Sequence, residues 1–294
     1  MERWHLPSIE ASGKREPRVL FSRPECRAVL IDLNAGDEMG DHRVHERAVV
    51  QVVSATTAGQ ALLETGNWPL ADQYASECLE LARQVNPSNG EPAALFARAL
   101  VDAHLGRVEA ARAAAERGSA LAAAMGDETW RVLNEWVLGF LELSLGDATR
   151  AYARLGPLVG AVHAIGVGEP TIFPVLPDAI EALISLGELD QAEPLIKELH
   201  AQGQALDRAW ALATAARCRG LLAAARGDPQ DALAQLQRAL QEHQRVTRPF
   251  ELARTLRAQG MVLRRDKHKA AAKASLEQAL GIFARLGARL WAEV

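Results

Sequence analysis

The chain has 294 residues, with 33 basic and 37 acidic side chains and a formal net charge of −4. That balance creates no global field toward nucleic acid or an anionic membrane, and the length suits one large domain or two smaller ones. Ala fills 55 positions, whereas Phe, Trp and Tyr together fill 14, which favours close-packed helices over a large sheet. No apolar run reaches the roughly 18 residues of a bilayer span. Met1-Glu2-Arg3-Trp4-His5 begins no apolar leader segment, so a secretory signal is not expected. Cys26, Cys78 and Cys218 form no CxxC pair, and reduced thiols in a cytoplasmic protein are the plain expectation.

Residues 1–53 read as a β-rich segment. Arg18-Val19-Leu20-Phe21-Ser22 and Cys26-Arg27-Ala28-Val29-Leu30-Ile31-Asp32-Leu33 are short, partly alternating and rich in strand formers. Asn34-Ala35-Gly36-Asp37 is a turn. Arg47–Val53 fits another strand or the start of the first helix, because period alone does not settle a short apolar run. Gly36, five intervening residues, His42 and a following apolar strand resemble the opening of a small cupin domain. The cupin motif would continue with a second His, where Val44 stands, and a Glu, where Ala48 or Val49 stands. Its second motif is missing. The segment reads as a truncated cupin, whose few strands cannot close a barrel. Their edges must pair with another chain, be covered by helices or stay partly disordered.

Residues 54–294 carry a repeat. Gly66, Gly106, Gly146, Gly187 and Gly227 stand 40, 40, 41 and 40 residues apart, and one more step of 40 reaches Lys267. Five residues after each marker is an alanine: Ala71, Ala111, Ala151, Ala192, Ala232 and Ala272. Seven residues before it stands a small residue (Gly59, Ala99, Gly139, Gly220, Gly260), except for Ile180 in the fourth unit. An extra residue between Ala179 and Gly187 would explain both that break and the 41-residue spacing. The marker glycine ends one helix in a left-handed cap. The polar residue after it (Asn67, Asp147, Glu188, Asp228) starts the next. The small column and the alanine column should then face each other across a close helix pair.

These three columns resemble the tetratricopeptide repeat, lengthened by about six residues per unit. The resemblance implies an all-α right-handed superhelix of about six helix pairs, with the β-rich segment as a small N-terminal appendage. Arg248-Pro249-Phe250-Glu251-Leu252-Ala253-Arg254-Thr255, Val262-Leu263-Arg264-Arg265 and Ala279–Ala288 look like the repeat domain of large ATP-binding LuxR-type transcription regulators. There the repeats lie between a nucleotide-binding domain and a helix-turn-helix. No GxxxxGK[ST] phosphate loop occurs in this chain, and the last residues fall where a seventh repeat would begin. The resemblance therefore implies regulatory ancestry, with neither ATPase nor DNA-binding activity expected here. A fusion, a gene fragment or a cloning product would each give this organisation.

Enzyme chemistry is not expected. No Ser/His/Asp order and no paired-carboxylate spacing stands out. Asp41, His42, His45 and Glu46 form the best metal-like cluster, but the cupin ligands are incomplete, so no metal or other cofactor is expected. Arg264-Arg265-Asp266-Lys267-His268-Lys269 could touch phosphates, yet no recognition helix follows. Direct nucleic-acid binding is not expected, nor is membrane association.

The first helices of a stacked array line its concave face. Counting back from each marker places Phe96, His104, Trp136, Phe140, Arg217, Arg254, Arg257 and Arg264 there. An aromatic half adjoining an arginine-rich half, with Arg254 an exposed charge, suits an extended peptide with apolar and acidic groups. The same aromatics would also serve as inter-helix packing. The expected function is a non-catalytic protein- or peptide-binding or signal-sensing module. A fragment of a LuxR-type regulator and a remnant of a cupin metalloenzyme are the alternatives.

Overall fold

Chain reversal at the markers sets the architecture. Gly66, Gly106, Gly146, Gly187 and Gly227 have φ between +72° and +93°, and Lys267 takes the same left-handed conformation at +63°. A side chain tolerates this region less readily than glycine, so Lys267 keeps the turn of the sixth unit without its usual residue. The computed structural model describes residues 18–22, 27–30, 59–85, 87–166 and 168–292.

Among the described residues there are six helix pairs. They are α1 (59–65) with α2 (Trp68–Val85), α3 (Pro87–His104) with α4 (Val108–Met125), and α5 (Glu128–Ser144) with α6 (Ala148–Ile165). They continue as α7 (Val175–Leu186) with α8 (Leu189–Ala205), α9 (Ala209–Ala225) with α10 (Pro229–His243), and α11 (Pro249–Arg265) with α12 (Lys269–Leu286). A short α13 (Arg289–Ala292) follows. None of the described helices is long and apolar enough to cross a membrane.

Side-chain caps start several second helices. Asp147 Oδ1 accepts the Arg150 N–H at 2.9 Å, and Asp228 Oδ1 accepts that of Asp231 at 2.9 Å. Glu188 makes no such bond. A second series of left-handed residues, Gly126, Gly166, Asp207 and Gly287, reverses the chain between pairs.

The two small columns do face each other. A Cβ on Gly220 would lie 2.7 Å from Leu236 Cγ and 3.0 Å from the Ala232 carbonyl oxygen. One on Gly260 would lie 2.6 Å from Leu276 Cγ, and one on Gly139 2.5 Å from Leu155 Cγ. Alanine gains about 1 kcal/mol over glycine in a helix, whereas overpacking costs about 1–3 kcal/mol. The Ala232 carbonyl belongs to a helix backbone and cannot rotate away, so overpacking wins, and Gly220→Ala should lower stability in urea unfolding. Gly160→Ala is the control. It sits in α6 with nothing within 4 Å of its Cβ and should raise stability by up to about 1 kcal/mol. Equal effects at the two sites would contradict the packing register.

Distant pairs touch. Arg248, just before α11, makes an ion pair with Glu64 of α1 at 2.7 Å. A Cβ on Gly66 would meet Pro249 Cγ at 2.8 Å and Leu286 Cδ2 at 3.3 Å. Trp291 in α13 donates its indole N–H to Ser144 Oγ of α5 at 3.1 Å. The first and last pairs therefore meet across the interior.

Contacts divide the chain into residues 1–48 and 49–294. In the first unit, β1 (Arg18–Ser22) and β2 (Arg27–Leu30) pair antiparallel, with Arg18 opposite Leu30, Ser22 opposite Arg27 and a bulge between Val19 and Phe21. The candidate strand at 47–53 and the cupin-like residues Gly36, Asp41, His42, His45 and Glu46 lie outside the described residues.

Candidate functional site

Each helix pair turns its first helix toward its neighbours' first helices, and α3, α5, α7, α9 and α11 touch in succession. Side chains on their shared face meet in the interior. Aromatic rings fill its centre. His104 stacks on Phe140 at 4.6 Å between centroids and meets Trp68 and Phe250 edge-on at 5.4 and 4.9 Å. Trp291 packs on Phe250 at 5.5 Å and Phe283 at 5.9 Å.

Beside the rings lies a ring of ion pairs from three consecutive first helices. Arg217 (α9) donates from Nε to Glu181 Oε1 (α7) at 2.9 Å and from Nη1 to Glu251 Oε2 (α11) at 2.6 Å. Arg254 (α11) closes the circuit through Nη2 to Glu181 Oε2 at 2.9 Å and Nη1 to Glu251 Oε1 at 3.2 Å. Its Nη2 also reaches Asp178 Oδ1 at 2.9 Å, and Asp178 Oδ2 accepts the Trp136 indole N–H at 2.9 Å. Burial alone would push the Glu251 and Glu181 carboxyls up, but the two arginines outweigh it and hold both below the usual range. For Asp178 burial wins over Arg254, and its carboxyl is raised.

This network corrects one expectation. Arg217 and Arg254 are only 1% and 5% exposed, so Arg254 is not an exposed charge on an open groove. The physical reason is the set of facing carboxylates, Asp178, Glu181 and Glu251, which lets guanidiniums leave water. Phe96 is buried against Trp130 and Trp136, with centroids 5.8 and 6.3 Å away. Trp136 and Phe140 are 7% and 1% exposed. Arg257 is half-buried, 5.6 Å above the Trp291 ring, and Arg264 is exposed.

Two cavities flank the network. One, of about 70 Å³, is bounded by His104, Trp136, Phe140, Trp210, Phe250 and Arg254. A space of that size has room for a few water molecules at about 10–15 Å³ each. The other is a cleft of about 550 Å³ whose lining includes Leu143, Ser185, Arg217, Arg254, Arg257 and Trp291. A further cavity of about 500 Å³ takes in Arg257 and Arg264. Of the eight expected concave residues, seven line these three spaces, and Phe96 lines none of them.

Sequence reasoning missed the acidic partners. Asp178 stands nine residues before Gly187, outside the offsets counted for the concave face, whereas Glu181 stands six before it, in the column of Phe140, Leu221 and Met261, and that column was the available signal. It also missed Trp210, Phe250 and Trp291, spaced 40 and 41 apart. Cys78 and Cys218 are buried, and burial pushes the Cys218 thiol far up, which is the reverse of nucleophile activation. The basic run at 264–269 forms the turn between α11 and α12.

The tetratricopeptide-repeat family profile matches residues 211–285. Among solved structures, a Rap protein complexed with competence and sporulation factor is similar, with a TM-score of 0.62 at 13% identity, covering 80% of this chain and 75% of that one. NprR in complex with its cognate peptide NprX gives 0.62 at 11% identity, covering 82% and 70%. BtubC (BKLC) from P. vanneervenii gives 0.51 at 17% identity, covering 80% and 92%. No curated protein matches in sequence. The helices from α1 to α13 form a tetratricopeptide-like helical-repeat domain.

Proposed function

We propose that the chain is a non-catalytic peptide-binding or signal-sensing module that takes an extended segment in the 550 Å³ cleft along α5, α7, α9 and α11. The observation that carries this reading is the built floor of the cleft. Glu181, Arg217, Glu251 and Arg254 tie three consecutive first helices together, so a ligand meets a surface that is already ordered. The volume lies in the roughly 300–1,000 Å³ range of ligand pockets. Apolar walls (Leu143, Ile184, Leu221, Met261) beside guanidiniums suit a peptide better than a nucleic acid. The likeness to a Rap protein in complex with competence and sporulation factor, and to NprR in complex with its cognate peptide, supports the same reading. Ancestry in LuxR-type regulators, a cupin origin for residues 1–53 and a cytoplasmic location are parts of the proposal that rest on the sequence resemblances and composition.

The test is a peptide-library screen with the full chain, followed by Ser185→Trp. Ser185 is exposed on the cleft rim, and its hydroxyl bonds only its own helix, to the Glu181 carbonyl. Filling the rim should weaken a selected peptide about tenfold or more, the range of a lost anchor, with the melting temperature unchanged. Equal affinity in the variant would contradict the cleft as the site.

A further inference from the structure

The 70 Å³ cavity on the other side of the network has a lining unlike that of the cleft. Five rings bound it: His104, Trp136, Phe140, Trp210 and Phe250. Glu64, Asp178 and Glu251 line it too, against two cations, Arg248 and Arg254. Three acids against two bases leave one negative charge in surplus. Arg217 and Glu181 add one charge of each sign. His104, pushed down to about 4 by burial, is neutral at pH 7. Arg257 faces the other cleft, with its guanidinium on the Trp291 ring. Two carboxyls register the shortage of cation. Burial, with Glu181 and Glu251 behind it, outweighs Arg254 and raises Asp178. Burial, with Glu251 behind it, outweighs Arg248 and raises Glu64.

We propose that this cavity binds a small organic ammonium ion, which packs against the aromatic rings and balances the surplus carboxylate. The face of an aromatic ring attracts a cation, most strongly when both have left water. A volume of about 70 Å³ has room for about five water-sized groups. That matches an ammonium carrying a few methyls and is too little for a peptide residue with its backbone. Gln60, Glu64 and Arg248 are only half-buried, so on their side the cavity reaches solvent. A metal ion fits less well, because among the described residues no three acidic, His or Cys side chains converge as its ligands. The site is separate from the cleft assigned to a peptide, although Arg254 borders both.

A thermal-shift titration of the full chain near neutral pH tests this. Trimethylammonium chloride at about 0.1 M, against sodium chloride at equal ionic strength, should raise the melting temperature by roughly 1–4 °C, the shift for a ligand binding in the ten-millimolar range. tert-Butanol, of similar shape but without the charge, should give no rise. Asp178→Asn removes the surplus charge and keeps an acceptor for the Trp136 indole N–H, and it should abolish the rise. Glu64→Gln, at the half-buried rim, should at least halve it, and this variant decides alone if the first does not fold. Ser185→Trp, in the other cleft, should keep the rise whole. Absence of a rise in the wild-type chain, or a rise of full size in either acidic variant, would overturn the proposal. So would loss of the rise in Ser185→Trp, which would place the ion in the other cleft. An equal rise with tert-butanol would overturn the cation assignment. An equal rise with N-acetyl-lysine methylamide would overturn the assignment to a small free molecule and point to a lysine side chain instead.

Discussion

Arg254→Met lowers stability by about 3–5 kcal/mol, the usual cost of removing one partner from a buried ion pair. Arg254 holds three carboxylates at once: Asp178, Glu181 and Glu251. Without it, Asp178 keeps only the Trp136 indole N–H, and Glu181 and Glu251 each lose one of two guanidinium partners. The pairing, more than the charge itself, is what stabilises. The double variant Arg254→Met with Glu251→Met should therefore lose less than the two single losses added, with a coupling of about 0.5–3 kcal/mol. Urea unfolding of the four proteins measures it. An unchanged midpoint in Arg254→Met would mean that this side chain is not buried among carboxylates.

Acid destabilises the fold between pH 6.5 and 4. Burial pushes His104 and His243 each down to about 4, whereas an unfolded histidine titrates near 6.5. Between these values only the unfolded chain takes up the proton. The stabilising contribution is thus complete above pH 6.5 and is lost as pH falls toward 4, by about 3 kcal/mol for each residue. The hydrogen bonds give the reason. His104 Nδ1 lies 2.8 Å from the Leu100 carbonyl and acts as its donor, inside a cage of aromatic rings. The Thr255 hydroxyl donates to the Glu251 carbonyl, so it accepts from His243 Nε2 at 2.9 Å. His243 Nδ1 is buried and has no hydrogen-bond partner among the described residues, so a proton added there would find no acceptor among them. Further acidification protonates Glu181 and Glu251, whose depressed values continue the loss, while the raised Asp178 works in the opposite sense. Urea midpoints from pH 7.5 to 4.5 should fall steadily, and His104→Gln should roughly halve the slope. A flat profile would contradict the burial of both rings.

The repeat register was legible because its determinants are local. A left-handed turn asks for glycine, and a close helix crossing asks for small residues, so the marker, the alanines and the small column recur at fixed offsets. Lys267 shows how far this holds, for it takes the left-handed φ that the spacing assigned to it. The second turn series was missed, because Asp207 stands where Gly126, Gly166 and Gly287 serve elsewhere. The site was half legible. Counting back from the markers found Trp136, Phe140, Arg217, Arg254 and Arg257, since side-chain direction on a helix follows the period. Their burial was not legible. It depends on Asp178 and Glu181, which lie in the one unit with a displaced register, and on the meeting of Glu64 with Arg248 across 184 residues. No local pattern encodes that encounter.

A crystal structure of the chain with the tightest peptide from the screen tests the central claim most directly. The account predicts the peptide in the cleft along α5, α7, α9 and α11, against Ser185 and Met261. A peptide seated instead on the outer helices α4, α8 or α10, with the cleft unoccupied, would contradict it.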